Sequence, residues 1–305
     1  MSTPNGRNGQ TLFTFLALLL AILLIYDIYR QLDLNGGGKG STCLPPFVSR
    51  NPTFLTSKAH NISVCKIEKT MSTFLTGIIC YLDRKEKFIK ANRNIHSEGW
   101  SQRFCGKTIE FHKNPLDNNT LKANMWKNWH LLAVVRDPIS RFISGYINKC
   151  LVEVDQPKRK KNCYSCNKNL TCFVEHLYKN AQMFIRADGK KYLTYEAKHF
   201  FPQSWYCAFN NYSYTVIHYG DDASTRHKMS TEILQFLKDA KVEQSSLKYI
   251  EDELNFKSPH SNKNNSYKDL ILTEIKSTPF LMKCLVQMFY YDYILFGVPL
   301  PFQNQ

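Results

Sequence analysis

The stretch His130-Leu-Leu-Ala-Val-Val135-Arg136-Asp137-Pro138-Ile-Ser140-Arg141-Phe-Ile-Ser144-Gly145-Tyr146 decides the fold. Its first six residues close on a continuous apolar run, as a strand buried on both faces requires. Asp137 then offers an N-cap, and Pro138 suits the first helical position. Ile139, Phe142, Ile143, Tyr146 and Ile147 recur at helical spacing and form the apolar face of that helix. Upstream, Ile62 to Ile67 reads as a short strand. Phe74, Leu75, Ile78, Ile79 and Leu82 make one face of a following helix, with Glu68–Thr73 as the joining loop. Two strand–loop–helix units imply an α/β fold with a mostly parallel sheet flanked by helices. Ligands of such sheets sit beyond the carboxyl ends of the strands.

Both loops carry anion-binding chemistry. A helix N-terminus presents unpaired N–H groups and a partial positive charge. Lys69 can reach an anion there, and Ser72 and Thr73 add hydroxyl donors; alternatively the two hydroxyls cap the helix and Lys69 faces water. The loop lacks the GxxxxGK[ST] pattern of a Walker A motif. Arg136 closes the second strand, where a guanidinium fork suits bidentate phosphate binding. Ser144 lies one turn past Ser140 on the side of the helix away from the core. The bland alternative for Arg136 is a local pair with Asp137.

The rest of the 305-residue chain sets the context. With 43% hydrophobic and 13% aromatic residues it can bury a proper core. Thr11–Tyr26 carries no charge and reads as a short membrane anchor, with a cleaved signal peptide as the rival. No small-x-small cleavage site follows it. The expected division is a cytoplasmic tail at 1–10, a transmembrane signal-anchor at 11–28, a Gly/Pro-punctuated stem at 29–58 and a lumenal domain at 59–305. Asn-x-Ser/Thr sequons at Asn61, Asn118, Asn169, Asn211 and Asn264 agree with a lumenal side, as do cysteines that an oxidising compartment would pair. Cys163, Cys166 and Cys172 could suggest zinc, but no second spaced pair follows and disulfides are the expected use. The net charge of +15 includes a dense run at Lys158–Lys161 within a polar surface insert. Anchor and sequons argue against nucleic acid, leaving anionic glycans and a charged nucleotide as partners.

The two loop segments resemble the 5′-phosphosulfate and 3′-phosphate binding segments of membrane-bound Golgi carbohydrate sulfotransferases, the chondroitin, dermatan and heparan-type enzymes. Lys69, Ser72 and Thr73 match the first; Arg136, Asp137, Pro138, Arg141, Ser144, Tyr146 and Lys149 match the second. His199-Phe-Phe-Pro202-Gln203 with Cys207, and Tyr290 through Gly297, resemble two later family segments. Glu68 and Met71 depart from the pattern, standing where the family has proline and a small residue.

The resemblance implies a P-loop-like fold and 3′-phosphoadenosine 5′-phosphosulfate (PAPS) as donor substrate. It implies sulfuryl transfer to a hydroxyl of an acidic or neutral glycan, foremost a glycosaminoglycan such as chondroitin, by a single-pass type II Golgi protein held in the membrane by its N-terminal helix. No metal is expected, since sulfuryl transfer needs in-line geometry and charge stabilisation. Lys69, Thr70, Ser72 and Thr73 would hold the phosphosulfate, with Lys69 on the bridging oxygen. Arg136 and Ser144 would hold the 3′-phosphate. His112 or His199 would take the acceptor's proton, with Glu110 as an alternative. A homodimer is a further expectation. Two other readings stay open: a Golgi glycosyltransferase, for which Asp221-Asp222 supplies no Asp-x-Asp triplet, and a lumenal glycan-binding scaffold on a degenerate sulfotransferase fold.

Overall fold

The computed structural model describes residues 43–48, 53–99, 102–111, 129–255 and 265–301. The expected tail, membrane span and most of the stem lie outside the described residues, as do His112, Asn118 and Asn264. Among the described residues no helix is long and apolar enough to cross a membrane. The chain divides into Met1–Leu44 and Pro45–Gln305, and all that follows concerns the second unit.

A five-stranded sheet in the order β3-β1-β2-β4-β5 forms its centre. Strands β2 (Ile62–Cys65), β4 (His130–Val135) and β5 (Thr215–His218) run parallel, with Cys65 opposite Ala133 and Val135 opposite His218. Strands β1 (Phe54–Ser57) and β3 (Glu110–Phe111) extend the sheet in antiparallel fashion from β2. The sheet is therefore mixed, and only its β2-β4-β5 half meets the parallel expectation. Strand β1 falls within the range read as stem, where it pairs Phe54 with Cys65 and Ser57 with Ile62. A four-residue strand just past Asn51-Pro52 is too short to show a period against that punctuation.

Alternation assigns the strand residues to two cores. Leu55, Val64, Leu132, Val134 and Ile217 pack under helices α1 (Ser72–Asp83) and, further on, α6 (Ala223–Asp239). Phe54, Cys65 and Val135 face the other way, toward Tyr206, Cys207 and Phe296. Helix α2 (Lys85–Lys90) follows α1. Strand β4 lies between β2 and β5 with Leu132–Val135 buried, as its unbroken apolar run requires.

Helix α3 (Pro138–Tyr146) begins as expected: Asp137 accepts a hydrogen bond from the Ser140 backbone N–H at 2.7 Å, and Pro138 opens the first turn. Phe142 and Tyr146 join an aromatic cluster with Phe173 of α4 (Leu170–Arg186) and Phe200 of α5 (Tyr195–Phe200). Gly145 is required there, because a Cβ would come within 2.7 Å of the Phe200 ring. A single π-helical stretch, Ile147–Val152, continues α3. Helices α7 (Gln244–Asn255), α8 (Asn265–Ser277) and α9 (Pro279–Phe296) complete the fold.

Four disulfides form: Cys65–Cys207, Cys80–Cys105, Cys150–Cys163 and Cys166–Cys172. The cysteines weighed as zinc ligands are thus bonded to sulfur. His176 lies beside the last pair.

Candidate active site

A cleft of about 1240 Å³ opens where β2, β4 and β5 end, and Lys69, Arg136 and Tyr219 all line it. Ligand pockets commonly measure ~300–1,000 Å³, so this one has room for two substrates.

The loop after β2 is held in an unusual shape. Lys69 and Met71 have φ of 70° and 54°, a left-handed backbone that disfavours side chains other than glycine. Such positions cost about 1–3 kcal/mol each and cluster where function demands them. The Thr70 hydroxyl turns inward to donate to the Ile67 carbonyl at 2.9 Å. The Thr70 side chain is fully buried and braces the loop from within. Met71 is the N-cap of α1 and supplies no side-chain cap. Ser72 and Thr73 therefore sit inside the first turn and face the cleft instead of capping the helix. The first-turn amides of α1 are thus left to an incoming anion.

Lys69 extends from this loop and donates to Asn148 Oδ1 at 3.1 Å. Burial, then the neighbouring Lys149 and Arg136, push its pKa down to about 8. Asn148 and Lys149 belong to the π-helical stretch, and such stretches recur at functional sites. Lys149 pairs with Glu153 at 2.6 Å, and the other Glu153 oxygen accepts from the Tyr195 hydroxyl, also at 2.6 Å. Burial would raise the Glu153 carboxyl, but the hydrogen bonds from Lys149 and Tyr195 outweigh it and hold it below the ordinary range.

Arg136 projects from the end of β4, as expected, but its partner is not Asp137. Nε meets Asp221 Oδ2 at 3.1 Å, a second guanidinium nitrogen binds the other Asp221 oxygen, and Tyr219 lies beneath at 4.5 Å. Burial favours a protonated Asp221; the Arg136 contacts outweigh it and hold the carboxyl low. Gly220 lets this segment pass, since a Cβ there would stand 2.2 Å from the Arg226 backbone nitrogen. Ser144 reaches the same cleft one element further on.

The backbone of Arg136 is clamped by the Gln203 amide, which accepts from its N–H at 2.9 Å and donates to its carbonyl at 2.8 Å. Gln203 is in turn set by Asp292, whose carboxylate accepts the Gln203 and Ser204 N–H groups at 2.6 and 2.8 Å. Full burial raises the Asp292 carboxyl against the pull of those N–H groups. The two later segments singled out in the sequence, around Gln203 and around Asp292, therefore meet behind Arg136. Arg141, read as part of the binding motif, is instead buried and donates to the carbonyls of Glu68, Phe201 and His199. It braces the loop after β2 against the His199 segment, and the Cys65–Cys207 bond ties the strand before that loop to the chain just past Gln203.

Of the candidate bases, His199 lines the cleft, packed edge-on to Tyr195 at 4.8 Å. His112 is outside the described residues. Glu110 also lines the cleft, where it binds Lys66 at 2.9 Å and also Arg103. Asp221, Tyr195 and Glu153 were not foreseen as site residues, because their roles depend on segments far apart in sequence.

Residues 52–299 match the sulfotransferase family. The carbohydrate sulfotransferase chst-1 of Caenorhabditis elegans is 32% identical over 271 residues, covering 87% of this chain and 81% of that protein. An uncharacterized C. elegans protein, C18B2.2, is 29% identical over 266 residues, covering 85% and 72% respectively. No solved structure matches. Since the match spans both anion loops and the segments that brace them, the chain belongs to the sulfotransferase family.

Proposed function

We propose that this protein transfers the sulfuryl group of PAPS to a hydroxyl of a carbohydrate, in a glycosaminoglycan such as chondroitin. The observation that carries this reading is the convergence of Lys69, the open first turn of α1, Arg136 and Ser144 on one cleft. A donor with phosphate at both ends of its nucleoside needs two separated anion sites, and a glycan-binding scaffold needs neither. The likeness to chst-1 supports a carbohydrate as acceptor.

In the reaction, the acceptor oxygen attacks sulfur and a new S–O bond forms. The bond between sulfur and the phosphate's bridging oxygen breaks, and its electron pair leaves on 3′-phosphoadenosine 5′-phosphate. Lys69, charged below about pH 8, stabilises that leaving oxygen. His199 accepts the hydroxyl proton; Glu110 also lines the cleft, but its carboxylate is engaged by Lys66 and Arg103. Arg136 and Ser144 fix the nucleotide through its 3′-phosphate; Arg136 then shares its fork between Asp221 and the ligand.

We assign the protein to the Golgi membrane, anchored through Thr11–Tyr26 with the catalytic unit in the lumen. The four disulfides support an oxidising compartment. Asn61, Asn169 and Asn211 of the sequons are exposed, as glycan attachment requires. The test is binding of 3′-phosphoadenosine 5′-phosphate to the purified protein, with Arg136→Ala as control. Tight binding lost in the variant is expected, and no binding by the parent protein would overturn the donor assignment. Transfer of labelled sulfate across a glycosaminoglycan panel then identifies the acceptor; binding without transfer to any glycan would favour the scaffold.

A further inference from the structure

The cations of the cleft divide by partner. Lys66 is spent on Glu110, Lys149 on Glu153 and Arg136 on Asp221. Lys69 faces Asn148 at the donor end. Arg159 differs from all of these. It lines the cleft from the polar insert, is exposed, and forms no salt bridge among the described residues; its charge acts on Glu153 from a distance, and Lys149 shares the Tyr195 ring at 5.6 Å. Its guanidinium rests instead over the Tyr195 ring, 5.2 Å from the centroid. That ring is itself fixed, since its hydroxyl donates to Glu153 and it makes a T-shaped contact with His199. A surface arginine with no other duty would sample many rotamers. This one is held by an aromatic platform whose far side is anchored beside the candidate base.

We propose that Arg159, positioned by Tyr195, reads an anionic group of the acceptor, a carboxylate or a sulfate ester on a sugar near the one being modified. This rests on the sulfotransferase reading above and sharpens it, because it makes the enzyme selective for acidic over neutral polysaccharide. The geometry fits: an acceptor hydroxyl at His199 lies next to Tyr195, so a group on an adjoining sugar falls toward Arg159. The exposed Lys158, Lys160 and Lys161 extend positive charge outward from the same point along the path of a polyanionic chain. The donor is held by other residues, so this contact should affect the acceptor alone.

The experiment uses the full chain, intact and as Arg159→Gln and Arg159→Lys, with chondroitin sulfate, its carboxyl-reduced form, its desulfated form and neutral dextran as acceptors. Losing one charge-assisted fork is expected to raise KM for chondroitin sulfate about tenfold in the Gln variant, with kcat within about twofold. The Lys variant should recover part of that loss. Whichever modified acceptor already shows the raised KM with the parent enzyme, and no further change with the variant, identifies the group that is read. Equal KM for parent and Gln variant on every acceptor would overturn the proposal, as would parental preference for dextran. Binding of 3′-phosphoadenosine 5′-phosphate separates the two levels. Loss of it in the parent sinks the sulfotransferase reading, whereas normal binding and transfer with indifferent Arg159 variants sink this inference alone.

Discussion

Replacing Lys69 by Met should abolish sulfuryl transfer and yet make the protein more stable. The ammonium is held with its pKa lowered from 10.5 to about 8, by burial first and then by Lys149 and Arg136. At about 1.4 kcal/mol per pH unit, that difference is about 3 kcal/mol, the cost of keeping the charge in the folded cleft. Residual solvent contact makes this a ceiling. The lost hydrogen bond to Asn148 takes back ~1 kcal/mol, so a net gain of about 1–2 kcal/mol is expected at pH 7. Met tolerates the left-handed backbone no better and no worse than Lys, so strain cancels in the comparison. The sign follows from linkage: the folded pKa lies below the unfolded one, so the cost is fully present below about pH 8 and disappears as pH rises toward 10.5. Urea unfolding of parent and variant at pH 7 and pH 10 should therefore show a gap that closes at the higher pH. A variant less stable than the parent by the same amount at both values would refute the reasoning. In the parent, kcat/KM should fall as pH rises through about 8, because the free enzyme's neutral amine no longer receives the donor as a charged partner.

Other expectations follow from the bracing. Gln203→Leu strips the Arg136 backbone of both partners in a buried setting, which should cost about 2–4 kcal/mol in chemical denaturation and weaken nucleotide binding. Gly145→Ala forces a methyl group against the Phe200 ring and should destabilise by about 1–3 kcal/mol, read as a lowered Tm. Removing the Cys65–Cys207 bond with a double Ala variant opens a loop of separation 142 and should cost about 2–5 kcal/mol, checked by urea unfolding under non-reducing conditions.

What the sequence made legible was what local patterns encode. The LLAVV run could only be a strand covered on both faces, and Asp137-Pro138 announced the start of α3. Arg136 followed, because a residue that ends a buried parallel strand must point toward the ligand edge. Strand β1 was hidden because its four residues take their meaning from pairing with β2. Arg141 shows a subtler limit. Its place in the motif was visible, but a buried guanidinium serving three backbone carbonyls cannot be told by spacing from one serving a phosphate. The inward turn of the Thr70 hydroxyl was hidden for the same reason, since loop sequence gives residue types and not the direction in which a hydroxyl turns. The Asp221 and Glu153 partners lie far from the loops in sequence or on irregular helix, and only the fold brings them in.

These unforeseen carboxylates explain how so basic a cleft can fold before any anion arrives. Lys66, Lys69, Arg103, Arg136 and Lys149 line a common cleft, and their mutual repulsion would oppose folding if each stood alone. Glu110 offsets Lys66 and Arg103, Asp221 offsets Arg136, and Glu153 offsets Lys149. Lys69 receives a neutral amide instead, and burial first, then Lys149 and Arg136, hold its pKa low. A charge that is costly to hold is thereby left on the loop that leads into the open first turn of α1. On the proposed reaction, a phosphosulfate bound there would supply negative charge, so part of the favourable energy of donor binding would be relief of a cost already present in the empty protein. That relief should grow as the bridging oxygen gains charge, which is the condition for an interaction to accelerate transfer and not merely to tighten binding.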